Sequence, residues 1–185
     1  MILEIETKRL KLVPLTYELL RLCMYDRTYM ELALRLNPTV RNRGAYETEL
    51  ELEGSLAEMM DAVSDAGNKW FWHTNWEIIH KDLNRIIGGL AFHDEPDLSG
   101  AVEIGYAVQP EFQNSGYATE AVSAAINWAL NQSGVKCVRA EIEDENIPSV
   151  KVAISAGMKQ RFVGDKTTVY EIFDIDLNGD ANDKN

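Results

Sequence analysis

The stretch of the sequence best suited to bind an anion is residues 113–118, Gln-Asn-Ser-Gly-Tyr-Ala. Residues 101–108 alternate as in a β-strand, and apolar residues recur at helical spacing over residues 121–130. The stretch therefore precedes a helix N-terminus, whose backbone amides and positive dipole end attract phosphate. Gly116 lets the backbone turn tightly and approach a pyrophosphate, and Ala118 keeps a neighbouring position small. An ordinary strand-to-helix turn explains the spacing equally well, because a single glycine is weak evidence.

Further motifs surround this stretch in a fixed order. Glu-Ile-Gly-Tyr at 103–106 precedes it, and a second block runs from Asn-Ile-Pro-Ser at 146–149 to Ala-Gly-Met at 156–158. Residues 113–118 fit the pattern Q/R-x-x-G-x-G/A, and residues 6–12 look like an opening strand. With these motifs the chain resembles the GNAT superfamily of N-acetyltransferases. Its closest resemblance is to the RimJ/RimL-like branch, which is similar to ribosomal-protein N-terminal acetyltransferases.

The resemblance implies a fold and a cofactor. The fold class is α/β (α+β), with a mixed, mostly antiparallel central sheet flanked by helices and two splayed central strands. Acetyl-CoA is expected as the acyl donor in the opening between those strands. The residues expected to bind it are Tyr106, Val108, Gln113, Asn114, Ser115, Gly116, Tyr117, Ala118, Thr119, Asn146 and Lys151. Strand amides near Val108 would stabilise the oxyanion, by family analogy.

A carboxylate suited to proton transfer lies in the strand before the loop. Alternation places Glu103 on one face with three small residues, Ala101, Gly105 and Ala107, which leave space for a ligand. Amide formation requires a group that takes the surplus proton of the amine, and desolvation makes a carboxylate more basic. We therefore predict Glu103 as the catalytic base, acting directly or through water. Cation recognition or a buried strand hydrogen bond is an equally weighted role.

The second block is expected to act near the sulfur of the cofactor. The resemblance places Asn146 against the pantetheine arm and Ser149 near the departing sulfur, where Ser149 would help to protonate the thiolate. Helix capping by Asn146 explains the same spacing at least as well. Many superfamily members carry a tyrosine general acid at the position of Ala153, so Ser149, Tyr117 or solvent is left as the proton donor.

The loop carries less positive charge than is usual for the family. Asn114 and Ser115 replace a common Gly-Lys pair. Lys151 is the candidate that could contact a phosphate of coenzyme A, although a solvated helix lysine is the more frequent role for such a residue.

Composition indicates one domain. The chain has 185 residues, and 45% of them are hydrophobic, enough for a substantial core. We predict a single domain over residues 1–177 and a polar, disordered tail over residues 178–185. No apolar run could span a bilayer and no secretory signal pattern is present, so no membrane partner and a cytoplasmic location are expected.

Charge and cysteine content exclude some function classes. The net charge is −12, from 18 Lys and Arg against 30 Asp and Glu, which disfavours nucleic acid as a partner. The acidic surface could attract cationic amines, although solubility is its more general role. Cys23 and Cys137 lack metal-ligand spacing and are expected to be reduced core thiols, and no metal site is predicted.

Periodicity and turn residues predict the order of elements. Three tryptophans, Trp70, Trp72 and Trp76, are expected to form core or cleft wall. The predicted helices cover residues 16–36, 46–66, the region after 117, and 148–156. The predicted strands cover residues 9–14, 70–80, 85–93, 101–108, 135–143, the surroundings of Phe162, and 168–177.

The predicted function is direct transfer of an acetyl group from acetyl-CoA to a primary amine, in a ternary complex without a covalent enzyme intermediate. The acceptor is the amine of a peptide N-terminus or of a small molecule. A noncatalytic acyl-CoA-binding sensor or scaffold, consistent with Ala153, is the alternative, and a purely structural interaction protein is a third possibility. Dimers are common in the family, so a homodimer is a candidate assembly.

Overall fold

The computed structural model describes residues 3–38 and 49–174, and it describes side chains in the second range from residue 55 onward. The chain divides into two compact units, Met1–Ala91 and Phe92–Asn185. The predicted tail, residues 178–185, lies outside the described residues, as does the end of the predicted domain after residue 174. The boundaries predicted for a single domain remain a prediction.

Four antiparallel strands form the sheet of the first unit in the order β1-β2-β3-β4. Their bounds are β1 Ile5–Glu6, β2 Leu10–Pro14, β3 Asn75–His80 and β4 Arg85–Phe92, the last residue of which belongs to the second unit. Leu10 and Leu12 on β2 are fully buried, as is Ile78 on β3. The central strands are therefore stabilised mainly by apolar burial.

The described residues of the first unit form three α-helices: α1 Tyr17–Tyr25, α2 Arg27–Ala33 and α3 Glu49–Asp65. Sequence analysis predicts one long helix over residues 16–36, but the structure interrupts it at Asp26. This residue has extended backbone angles, and its carboxylate accepts a hydrogen bond from the Thr28 amide at 2.7 Å. Asp26 therefore acts as the N-cap of α2, and capping overrides the continuous helical pattern. The predicted helix over 46–66 agrees with α3 where the chain is described.

The predicted strand over residues 70–80 is wrong in its first half. Residues Gly67–Trp72 form a 3-10 helix, and β3 begins only at Asn75. Trp72 and Trp76 are buried, and the Trp76 indole donates to the Phe71 carbonyl at 2.9 Å. The prediction of these two tryptophans as core residues is confirmed. The strand signal was misleading because aromatic residues are enriched in strands but pack equally well from a tight helical turn.

The second unit carries four strands and two α-helices among its described residues. The strand order is β5-β6-β8-β7, in which β5 and β6 are parallel and the other pairs are antiparallel. Their bounds are β5 Ala101–Val108, α4 Tyr117–Leu130, β6 Cys137–Glu143, α5 Ile147–Ser155, β7 Lys159–Val163 and β8 Thr167–Phe173. The expected mixed, mostly antiparallel α/β class with flanking helices is confirmed.

Helix α4 packs through the face that the sequence predicts. Its apolar positions are all buried: Ala121, Val122, Ala125, Ile126, Ala129 and Leu130. Cys137 on β6 is also buried, and this burial raises the pKa of its thiol to about 11, as expected for an unreactive core cysteine. Among the residues that the structure describes, no helix is both long and apolar enough to cross a bilayer.

Gly100 joins the starts of β5 and β6. Its carbonyl accepts hydrogen bonds from the amides of Lys136 at 2.7 Å and Cys137 at 3.2 Å. Its φ of +86° favours glycine, and a Cβ built there would lie 2.8 Å from the Gly134 carbonyl oxygen. The close backbone approach at Gly100 therefore helps to set where the two strands begin.

Substitution of Gly100 should separate this close approach from backbone strain. Gly134 is a matched control, because its φ of +87° is nearly the same but no atom lies within 4 Å of its added Cβ. We expect Gly100→Ala to lower the free energy of unfolding by about 1–3 kcal/mol more than Gly134→Ala does, since only Gly100→Ala adds a backbone clash. Urea denaturation measures both, and equal losses would contradict the packing argument.

Candidate active site

An opening begins where β5 and β6 part. The two strands pair only through Ala101 with Cys137, Val102 with Val138, and Glu103 with Arg139. Beyond that point β6 continues to pair with β8 up to Glu143, whereas β5 runs on to Val108. The carboxyl-terminal halves of two neighbouring strands therefore diverge, as expected for the splayed central pair. In a parallel arrangement, this is the sheet edge at which ligands bind.

Tyr106 spans this region from β5 to α5. Its hydroxyl donates a hydrogen bond to the Ser149 carbonyl at 2.8 Å. Desolvation raises the pKa of Tyr106 to about 12, so the phenol keeps its proton at physiological pH. Tyr106 thus ties the diverging strand to the first turn of the helix that follows β6.

The loop between β5 and α4 has the backbone shape of an anion-binding turn. A short 3-10 turn at Pro110–Phe112 leads into it, and both Asn114 and Gly116 have left-handed φ values, +57° and +78°. Gly116 is the N-cap of α4, and the first ladder bond runs from the Glu120 amide to the Gly116 carbonyl at 3.0 Å. The amides of Ala118 and Thr119 precede that bond, so the helical ladder does not use them.

Side chains of the loop stabilise the loop itself. The Gln113 amide nitrogen donates to the Val108 carbonyl at 3.0 Å, and the Ser115 hydroxyl donates to the Gln113 carbonyl at 3.2 Å. The Phe112 and Tyr117 rings meet edge to face with 6.2 Å between their centroids. Residues 113–116 are exposed. What this loop offers to an anion is therefore mainly its backbone amides and the dipole of α4.

Asn146 and Ser149 occupy the start of α5. The Asn146 side-chain oxygen accepts from the Ser149 amide at 3.2 Å, so the capping role is confirmed for Asn146. Among the described residues the Ser149 hydroxyl has no hydrogen-bond partner, which leaves it available to a ligand. Lys151 is an exposed residue of α5 and forms no ion pair with another residue that the structure describes. Binding roles for these three residues stay predictions.

Ala153 does not face a ligand. It is fully buried in α5, and its carbonyl accepts from the Met158 amide at 3.0 Å where the helix ends. The position at which many superfamily members carry a general-acid tyrosine is therefore part of the packed interior. The described part of α5 provides the Ser149 hydroxyl, rather than a phenol, at the opening.

Glu103 has a partner that sequence reasoning missed. The His93 Nδ1 atom lies 2.9 Å from Glu103 Oε1, and the His93 amide donates to the Glu103 carbonyl at 3.0 Å. His93 and Glu103 flank the predicted turn at 95–100. Pairing the strands on either side of that turn would have placed them opposite each other, although a lone histidine gives no such signal.

Arg139 is kept away from the Glu103 side chain although their backbones are paired. Its guanidinium forms an ion pair with Asp97. Hydrogen bonds from the Ser99 hydroxyl and the Ala101 amide, together with Arg139, hold the pKa of Asp97 well below its usual range. Because Asp97 holds the guanidinium, the Glu103 side chain is directed to an imidazole instead of a permanent cation.

A model described as the acetyltransferase (GNAT) domain matches residues 9–159. The chain belongs to the GNAT acetyltransferase family. The matched range contains every described element from β2 to α5, and thus includes the β5–α4 loop, the splayed strand pair and the Glu103–His93 pair.

Curated relatives are named as N-acetyltransferases. The uncharacterized N-acetyltransferase YjdG of Bacillus subtilis (strain 168) is 37% identical over 95 residues, covering 51% of this chain and 55% of that protein. The uncharacterized N-acetyltransferase YnaD of the same organism is 31% identical over 83 residues, covering 45% of this chain and 48% of that protein. The chain thus spans about half the length of these relatives.

Solved GNAT structures share the fold. A structure of apo FdhC, described as a nucleotide-linked sugar GNAT, has a TM-score of 0.67 at 13% identity, covering 97% of this chain and 95% of that chain. RimL, described as a ribosomal alpha-N-protein acetyltransferase in complex with coenzyme A, has a TM-score of 0.64 at 13% identity, covering 92% of this chain and 98% of that chain. At such low identity these likenesses establish the fold alone.

Removal of the Tyr106 hydroxyl should weaken the link between β5 and α5. We expect Tyr106→Phe to lower the free energy of unfolding at pH 7 by about 1 kcal/mol, because the Ser149 carbonyl loses its donor. The pKa of Tyr106 is about 12 in the folded protein, against about 10 in the unfolded chain. As pH rises above about 10, the unfolded chain loses the phenol proton first, so the free energy of unfolding falls. Denaturation at several pH values should therefore show the stability difference between the native protein and Tyr106→Phe narrowing above pH 10. A difference that stays constant with pH would contradict the raised pKa of Tyr106.

Proposed function

We propose that this GNAT protein transfers an acetyl group from acetyl-CoA directly to a primary amine of a peptide N-terminus or a small molecule. The observation that carries the proposal is the divergence of β5 and β6 after Glu103 and Arg139, beside a loop with left-handed backbone at Asn114 and Gly116. A bare strand-to-helix turn would not require the neighbouring strands to separate. Both features together fit an extended ligand with a diphosphate at one end.

The residues present fit coenzyme A in chemistry as well as in shape. Backbone donors near the start of α4, at Gly116, Ala118 and Thr119, suit the diphosphate because they carry positive potential without a lysine. Asn146 and Ser149 at the start of α5 suit the arm that leads to the thioester. Acetyl-CoA supplies the activated acyl group, and no metal is needed for that chemistry.

In the reaction the protein orients the donor and moves protons. A neutral amine attacks the thioester carbonyl carbon, and strand amides near Val108 stabilise the oxyanion that develops. The amine gives its surplus proton to the basic group formed by Glu103 and its hydrogen-bond partner His93. The leaving thiolate takes a proton from solvent, relayed by the Ser149 hydroxyl, and it needs little assistance because a thiol is far more acidic than an alcohol.

Several classes of amine could serve as the acceptor of the acetyl group, whereas acetyl-CoA is the one donor proposed. The resemblance to the RimJ/RimL-like branch favours a peptide α-amine, and the net charge of −12 favours a basic acceptor. An amino sugar or a polyamine has the same nucleophile. A panel containing each class, assayed for CoA release and for acetylated product by mass spectrometry, will assign the acceptor.

A noncatalytic acyl-CoA-binding protein is the second candidate. It is favoured by Ala153, which is buried and cannot donate a proton to the thiolate. Such a protein would bind acetyl-CoA in the same opening without accelerated thiol release. Calorimetric binding of acetyl-CoA combined with an inactive amine panel would select this candidate.

The diphosphate assignment can be tested at Ser115. Ser115→Glu places a carboxylate just before the helix N-terminus, where it interacts favourably with the helix dipole but repels phosphate. Ser115→Gln is the matched control, because its side chain has the same length without the charge. We expect Ser115→Glu to weaken CoA binding at least about tenfold relative to Ser115→Gln, as like charges near each other raise the binding free energy. Calorimetry measures the affinities, and thermal unfolding checks the fold. Equal affinities of the two variants for CoA would contradict the proposal that the diphosphate binds at this loop.

A further inference from the structure

The Glu103 side chain is paired to a histidine, and the atom of this pair that accepts the amine proton is not yet assigned. The Glu103 Oε1 and His93 Nδ1 atoms are 2.9 Å apart, with side chains 34% and 56% exposed. A backbone bond between the same two residues, His93 amide to Glu103 carbonyl at 3.0 Å, fixes their separation. The pair is therefore supported by the backbone and does not depend on two flexible side chains alone.

Gly105 determines where the other nitrogen of the ring lies. A Cβ added to Gly105 would stand 3.0 Å from His93 Nε2, tighter than an ordinary contact. The ring therefore lies across the place that any other residue at this position would fill. Glu103 and Gly105 are half-exposed, whereas Val102 and Ile104 are buried on the opposite face. His93 Nε2 is thus on the open face of β5, beside the small residues predicted to leave room for a ligand.

The hydrogen bond selects the tautomer. An ionised carboxylate only accepts hydrogen bonds, so Glu103 requires the proton on His93 Nδ1. Nε2 then carries a lone pair and is the basic atom of the ring. A neutral imidazole is an efficient proton acceptor near neutral pH, because its intrinsic basicity is matched to that range.

We propose that His93 Nε2 accepts the proton of the attacking amine, and that Glu103 is a positioning residue that fixes the tautomer and orientation of the imidazole. This inference rests on the proposed acetyl transfer and names the atom at which its base acts. The charged group in hydrogen-bond contact with the ring is Glu103, while the Asp94 carboxylate next in the chain accepts from the Glu95 amide at 2.7 Å.

The proton and electron balance is closed without a further reactant. The amine nitrogen lone pair forms the C–N bond, and the N–H proton moves to His93 Nε2. The C–S bond then breaks with its electron pair on sulfur. The thiolate is neutralised by a proton from solvent, directly or relayed by the Ser149 hydroxyl, which regains its own proton from solvent. The imidazolium returns its proton to solvent, which its exposure permits. The products are the acetylated amine and coenzyme A.

Three variants distinguish the role of His93 as the base from the role of Glu103 as a positioning residue. His93→Ala should reduce kcat/KM by about 10²–10⁴-fold, the usual contribution of a general base, and added imidazole should restore part of it. Glu103→Gln retains an acceptor for Nδ1–H, so we expect a loss of less than about tenfold relative to the native protein. Asp94→Asn removes an exposed carboxylate beside His93 and should leave kcat/KM unchanged. The affinity for acetyl-CoA, measured by calorimetry, should stay within twofold in all three.

A pH profile distinguishes an imidazole base from a carboxylate base. In the native protein, kcat/KM should show an acidic limb beyond the one caused by protonation of the amine substrate, because a protonated imidazole cannot accept the amine proton. Glu103→Gln should keep this limb and His93→Ala should lose it. If Glu103→Gln abolishes turnover while His93→Ala retains the native rate and profile, Glu103 itself is the base and the inference is overturned.

A spectroscopic readout tests the pair without turnover. In protein with ¹⁵N-labelled histidine, the ring nitrogens of His93, assigned with His93→Ala, should show protonated Nδ1 and bare Nε2 at pH 8. Glu103→Ala should shift the signal toward the Nε2–H form, which is the usual preference of an unpaired imidazole. An Nε2–H tautomer in the native protein would overturn the inference. Failure to bind acetyl-CoA would instead contradict the proposed function. The tautomer measurement would still show whether Glu103 fixes the proton on His93 Nδ1.

Discussion

The short parallel pairing of β5 and β6 is the constraint on which the site depends. Because the ladder stops after three residue pairs, the remaining backbone of β5 is not committed to β6. The strands are held together at one end by the Gly100 junction and kept in relation at the other by the Tyr106 hydrogen bond to α5. A longer ladder would close the gap, and a shorter one would leave β5 without a partner on that side.

In the proposed function, main-chain geometry supplies affinity and side chains supply the proton chemistry. In the β5–α4 loop, hydrogen bonds of the Gln113 and Ser115 side chains stabilise the turn that precedes α4. On β5, by contrast, the arrangement depends on side-chain identity: Glu103 contacts His93, Gly105 leaves room for the ring, and Asp97 occupies Arg139. These two parts can be altered separately by substitution.

Sequence predicted those features that depend on local periodicity. The buried face of α4, the end of β5 at Val108 and the capping by Asn146 follow from spacing or turn chemistry within a few residues. The break at Asp26 was missed because one capping carboxylate outweighed a continuous helical pattern. The strand predicted at Trp70 was wrong because a 3-10 turn buries aromatic residues as well as a strand does. The contact of His93 with Glu103 joins residues ten positions apart, and only the backbone hydrogen bond between them in the folded chain reveals it.

The loop that begins α4 has a consequence for variation in this protein. Peptide amides are common to nearly all residue types, so a grip made by the backbone survives most replacements at its exposed positions. If the backbone binds the diphosphate as proposed, the left-handed turn at Asn114 and Gly116, rather than an ammonium group, aims the donors. Mutational tolerance at Ser115 should then be high for neutral side chains and low for an acidic one, and a change that straightens the turn, such as proline, should be poorly tolerated.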